Sequence, residues 1–216
     1  MDIPIVQTVQ NDHFVESTVF ELTEELASNY FKTLCSTCQE GQSIHYFDDA
    51  ENVLVIRDLY PRSEVATYHL LKETEMRISW KLFLTAAGYG VNTTVSQLIG
   101  WQPECFTGGN YHVRTQQGAW EIWMRNITEN KRDLILDKSI KYNEWVEFTV
   151  WAKFSDEDGY FSISIKDSDS FQVFNLIESG PTYVSCKRGP YLKFGSYNGR
   201  SSELEVGVKD ISVKYR

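Results

Sequence analysis

The sequence predicts an all-β protein folded as one sandwich or jelly roll, and three observations carry that prediction. Most of the chain after residue 41 alternates apolar and polar residues in runs rich in Val, Ile, Trp, Tyr and Phe, the pattern of half-buried strands. Turn signals separate these runs: "AAGYGVN", "TGGN", "SDEDG" and "YNGRSS". Nine or more such runs fall within 216 residues, with no linker and no internal repeat, which favours one sandwich over two domains.

The elements follow in order. Residues 19–34, "VFELTEELASNYFKTL", form the one helical stretch, with Phe20, Leu22, Leu26, Tyr30 and Leu34 recurring at near-helical spacing. After "CSTCQEG" the texture changes. Strands are expected at "NVLVIRDL", "MRISWKLFLTA", "TTVSQLIGW", "NYHVRTQ", "AWEIWMRNI", "WVEFTVWAKF", "YFSISIKD", "PYLKFGSY" and "LEVGVKDISVKY". The expected organisation is an N-terminal extension over residues 1–40, carrying a helix packed on the main domain, and a jelly-roll domain over 41–216.

Composition narrows the function. Hydrophobic residues make up 42% of the chain and aromatics 14%, ample for a packed core. A formal charge of −9 with no basic stripe argues against nucleic acid. No apolar run approaches the roughly 18 residues of a spanning helix, so no membrane partner is expected. The opening "MDIPIVQTVQNDHF" shows neither a basic n-region nor an apolar h-region. Localisation stays open: secreted if a leader has been removed, otherwise cytoplasmic. Cys35 and Cys38 form a CxxC, with Cys105 and Cys186 apart from it. With no second ligand pair and no βαβ context, disulfides or free thiols are expected rather than a metal or redox centre. The sequons at Asn92 and Asn126 are read as chance.

Three patches can carry chemistry. In "YPRSEV", Arg62 and Glu64 share a strand face; they read as a surface ion pair, or as an Arg fork for a carboxylate oriented by Glu64. In "SQLIGW", Gln97, Ile99 and Trp101 share a face, so Gln97 is either an edge residue or an amide donor to a substrate carboxylate, with Trp101 as a stacking platform. In "GPYLKFGSYNGRS", Tyr191, Lys193, Gly195 and Tyr197 alternate along one face, neighbours about 7 Å apart. That is either a packed aromatic face with a snorkelling Lys or a site floor. In the second case Tyr197 serves acid–base chemistry, assisted by nearby cations, and Gly195 marks a close approach of another chain or a ligand.

In their order, Arg-Ser-Glu-Val, the Gln strand and Tyr-Leu-Lys-Phe-Gly-Ser-Tyr resemble the jelly-roll polysaccharide lyases: alginate lyases, glucuronan lyases and the heparin lyase I type. The resemblance spans about residues 50 to 215 and leaves the N-terminal segment outside. It implies a concanavalin A-like β-jelly roll and a metal-independent, cofactor-free β-elimination on a uronic-acid-containing polysaccharide, by a monomer. Carried over by motif, Arg62 and Gln97 neutralise the C5 carboxylate and Tyr197 is the acid and a candidate base. Lys193 binds the acidic sugar, with Tyr191, Glu64, Trp101 and Arg114 completing the substrate-binding set.

Two positions depart from the family pattern. Ile99 stands where the lyases have a histidine, and Ala66 stands where they have a second arginine. Tyr197 then performs both proton transfers, or a histidine enters from elsewhere, His112 first and His69 second. Two other classes compete. A non-catalytic, lectin-like carbohydrate-binding jelly roll accounts for Ile99 and for the acidic charge. A glycoside hydrolase needs paired carboxylates, and the same-strand E-x-D-x-x-E arrangement is absent.

Overall fold

The computed structural model describes residues 32–35, 45–57, 62–85, 93–99, 111–116, 118–126, 131–134, 138–139, 141–182, 189–197 and 204–216. Among these, fifteen strands follow one another: β1 (Lys32–Cys35), β2 (His45–Asp48), β3 (Val53–Arg57), β4 (Arg62–His69), β5 (Glu75–Leu84), β6 (Thr93–Ile99), β7 (Tyr111–Gln116), β8 (Ala119–Asn126), β9 (Lys131–Leu134), β10 (Lys138–Ser139), β11 (Trp145–Lys153), β12 (Gly159–Lys166), β13 (Phe171–Gly180), β14 (Tyr191–Tyr197) and β15 (Glu205–Tyr215). They form two antiparallel sheets. One runs β1-β4-β14-β6-β7-β8-β10, with β9 also paired to β8; the other runs β13-β12-β11-β5-β15-β3-β2. The all-β sandwich expected from the sequence is the observed architecture.

Alternation explains the layers. In β5 every second residue, Met76, Ile78, Trp80, Leu82 and Leu84, is buried. β11 does the same with Val146, Phe148, Val150 and Ala152. The facing sheet contributes Val65, Leu98, Val113, Trp120, Ile122, Leu192 and Phe194 to the same core. Four rings join the layers. Trp80 stacks on Phe148 at 5.7 Å between ring centroids. Phe194 meets the edge of Trp80 at 6.0 Å, and Trp120 meets Phe148 at 5.5 Å. Aromatic contacts of this kind add to simple area burial. Through Phe194 they pin β14, the strand of the "YLKFGSY" stretch, against the core.

Two sequence expectations are corrected here. The helical reading of residues 19–34 fails at its end: Lys32–Leu34 lie in β1, which pairs antiparallel with β4 through Lys32↔Ala66, Thr33↔Val65 and Leu34↔Glu64. The open edge of β4 offers a full row of backbone partners, and tertiary pairing overrides local helical spacing. Residues 19–31 lie outside the described residues, so most of the 1–40 extension does too. The strands β2, β9, β10 and β13 were not expected; in β13 two of the apolar residues point outward, Phe171 at 61% exposed and Val173 at 50%. Of the cysteines, Cys35 has its backbone in β1 and the other three lie outside the described residues.

Four buried polar side-chain atoms among the described residues lack a hydrogen-bond partner: Ser63 Oγ, Trp80 Nε1, Ser96 Oγ and the Tyr111 hydroxyl. The Tyr111 hydroxyl is buried without a hydrogen-bond partner, and burial holds its pKa well above 10.0. An unsatisfied buried hydroxyl costs about 1–3 kcal/mol. Tyr111→Phe is therefore expected to unfold at equal or higher urea concentration than the parent. The folded protein holds the neutral phenol, so as pH rises past 10 the unfolded chain releases its proton first. Tyr111 thus costs no further stability below that pH and erodes stability above it, a loss the Phe variant escapes. A lower urea midpoint for Tyr111→Phe contradicts this reading.

Candidate functional site

The candidate residues converge because β14 inserts between β4 and β6. Its inward residues, Leu192 and Phe194, belong to the core, so Tyr191, Lys193, Gly195 and Tyr197 take the opposite face. The same alternation sets Glu64 opposite to Val65 on β4, Gln97 opposite to Leu98 on β6, and His112 and Arg114 opposite to Tyr111 and Val113 on β7. Register places them in rows. Lys193 pairs with Gln97, and Gln97 with His112. Glu64 pairs with Gly195, and Arg62 with Tyr197. Tyr197 pairs with Thr94, and Thr94 with Arg114. Tyr191 pairs with Ile99 on one side and His69 on the other. Trp101 lies outside the described residues.

A buried polar network occupies the middle of this face. Gln97 Nε2 donates to Glu64 Oε1 at 2.7 Å, and Lys193 Nζ bonds to Glu64 Oε2 at 2.8 Å. All three residues are at most 2% exposed. Glu64 is therefore buried rather than the surface carboxylate that its spacing from Arg62 allowed, and two of its partners come from two other strands. Its bond to Gln97 spans β14, and Gly195, the residue opposite Glu64, carries no side chain there. The Lys193 ammonium also lies 5.6 Å from the centre of the Tyr197 ring. Tyr197 is the open member, 37% exposed, while Tyr191, His112 and Arg114 are half-buried.

Gly195 is required twice over. Its φ of +128° is a conformation that L side chains rarely adopt, and a Cβ there would sit 2.1 Å from the Ser63 carbonyl oxygen and 2.8 Å from Glu64 Cα. The register with β6 shifts between Phe194 and Tyr197, a bulge that re-aims the end of the strand. Beyond the bulge Thr93 holds the strand: its hydroxyl donates to the Tyr197 carbonyl at 3.1 Å and lies 2.8 Å from the Ser196 hydroxyl. Sequence reading missed Thr93 and Ser196, since neither position bears a pattern. Gly195→Ala is expected to lose at least about 1–3 kcal/mol to backbone strain, and more to the clash with β4. Its unfolding midpoint should drop well below that of the parent; an unchanged midpoint would show that β4 and β14 can separate freely at this point.

The register also locates a histidine. Ile99, at the lyases' histidine position, is two residues along β6 from Gln97, about 7 Å away. His112 is directly across from Gln97, a Cα separation of about 4.5–5.5 Å for such pairs. Among the described residues, no group of three or more His, Cys, Asp and Glu is arranged to hold a metal ion.

No protein-family model matches the sequence, and no curated protein matches it. Similarity is found among solved structures. A double-cysteine variant of alginate lyase A1-II′ superposes with a TM-score of 0.57 at 12% identity, over 89% of this chain and 96% of the lyase. Alginate lyase AlgAT5, of polysaccharide lyase family 7, gives 0.54 at 11% identity, over 82% of this chain and 85% of its own. The receptor-binding domain of botulinum neurotoxin C/D mosaic serotype also gives 0.54 at 11% identity, over 87% of this chain. This chain spans only 44% of the length of that toxin domain. At such identities the likeness is one of fold, and the shared fold is the jelly-roll sandwich.

Proposed function

We propose that this protein is a polysaccharide lyase that cleaves a uronic-acid-containing polysaccharide by β-elimination on the outer face of the eight-stranded sheet. The observation that carries the reading is the meeting of Gln97, Lys193 and the exposed Tyr197 on adjacent strands, with His112 directly beside Gln97. The match to almost the full length of an alginate lyase supports it.

In this reading Arg62 and Gln97 relieve the charge of the C5 carboxylate, which acidifies the C5 proton. Gln97 gives one amide N–H to Glu64 and keeps a second for the sugar carboxylate. Because Gln97 is buried, that contact requires neighbouring side chains to part as the saccharide settles. His112 takes the C5 proton and Tyr197 protonates the departing glycosidic oxygen, which leaves an unsaturated sugar at the new end. Stabilising the negative charge that builds up on the carboxylate is the larger part of the catalysis. Lys193, Tyr191 and Arg114 complete the acidic sugar's surroundings, and the partner is an acidic polysaccharide of the alginate or glucuronan kind.

A second reading, a lectin-like module that binds carbohydrate without cleaving it, is favoured by Ile99 and by the burial of Gln97 and Lys193. Fold kinship with a toxin receptor-binding domain agrees with it. Mass spectrometry of polymer incubated with the protein separates the possibilities. A lyase yields oligosaccharides lighter by one water than hydrolysis products, and a binding module leaves the polymer intact. His112→Gln is expected to lower kcat by about 10²–10⁴. An unaltered rate in that variant would return the base role to Tyr197.

A further inference from the structure

We propose that Glu64 is a positioning residue: its buried carboxylate holds the Gln97 amide and the Lys193 ammonium in one arrangement and does not itself touch the saccharide. Each carboxylate oxygen is already engaged, Oε1 by Gln97 at 2.7 Å and Oε2 by Lys193 at 2.8 Å. The residue is 1% exposed. An unpaired glutamine amide can present oxygen or nitrogen to a neighbour with little change of shape. A carboxylate only accepts hydrogen bonds, so Glu64 admits only the nitrogen. It thereby fixes where the second amide N–H of Gln97 is aimed, which is what a carboxylate neutraliser needs. Lys193 in turn holds the carboxylate from the strand between, and Gly195 leaves the path across that strand open. Oriented donors that need not reorganise during reaction are the ones that stabilise developing charge. Beside the Gln97 amide and the Lys193 ammonium that it holds in place, saccharide contact falls to the less buried members of the face: Tyr197, Tyr191, His112 and Arg114.

The kinetic part of this inference rests on the lyase reading; the structural part does not. The test uses ¹⁵N-labelled protein, with the Gln97 side-chain amide signal assigned through Gln97→Leu. In the parent that amide should exchange slowly with solvent. In Glu64→Gln, loss of a charge-assisted bond should speed exchange by roughly ten- to a hundredfold. Turnover should fall roughly ten- to a hundredfold in kcat, with KM within about threefold. Glu64→Asp keeps the charge one methylene short and should recover part of both losses; it also serves if Glu64→Gln does not fold. A purely structural role would reduce the folded fraction without changing kcat per folded molecule. A rise in KM at constant kcat would mean that Glu64 touches the saccharide, and unchanged amide exchange would mean that it does not hold Gln97; either overturns the proposal. If the parent turns over no uronan, the lyase reading fails and amide exchange alone decides the positioning role.

Discussion

Tyr197→Phe is expected to lose turnover and keep affinity for polymer. The substitution deletes only the phenolic O–H. The ring stays, and with it the 5.6 Å contact to the Lys193 ammonium, which needs an aromatic face rather than a hydroxyl. The strand keeps its backbone fixed points near residue 197 as well: the Tyr197 carbonyl bonded to Thr93 and the bulge at Gly195. What disappears is the proton donor to the glycosidic oxygen, worth about 10²–10⁴ in rate for a positioned acid. Initial rates of unsaturated product and a binding titration with the same polymer check both halves. A binding module tolerates this change and keeps its affinity with no rate to lose. Retained turnover in Tyr197→Phe would remove Tyr197 from the chemistry.

Lys193→Met carries the second large effect, on stability. The ammonium and the Glu64 carboxylate are both almost wholly out of water. Such a pair contributes little net stability, since desolvation offsets the attraction, but removing one member leaves an uncompensated buried charge and costs about 3–5 kcal/mol. In a chain this long, each kcal/mol shifts the melting temperature by roughly 2–4 °C. Glu64→Gln combined with Lys193→Met removes both charges and should regain most of the loss. This non-additivity separates a coupled pair from two independent contacts. Urea unfolding of the parent, both single variants and the double variant measures it. Additive losses would contradict the coupling.

Much of the fold was legible because half-buried strands write their burial into the sequence. β5, read as "MRISWKLFLTA", alternates buried and partly exposed residues from end to end. β13 was illegible for the opposite reason: with Phe171 and Val173 outward, its apolar residues do not report a buried face. β1 was misread because its partner strand is thirty residues further along the chain, and spacing within a segment cannot announce that. The site shows the same limit. Alternation put Tyr191, Lys193, Gly195 and Tyr197 on one face of a strand, but nothing local says that this strand lies between residues 62–69 and 93–99. Glu64 therefore read naturally as a partner of Arg62, two residues away. Its bonds to Gln97 and Lys193 are products of strand order. That order also supplies an account of the glycine in "YLKFGSY": Gly195 lies against β4 too closely for any side chain, at the point where Glu64 reaches over toward β6.

The central claim is elimination at a uronic acid, and the ultraviolet absorbance of the 4,5-unsaturated uronate tests it most directly. The purified, folded protein is mixed in turn with alginate, glucuronan, heparin-type and pectic polymers. The lyase account predicts a steady rise in absorbance with at least one of them and names the substrate class by which. A flat trace across the whole panel, with binding retained, would contradict it and leave a carbohydrate-binding jelly roll.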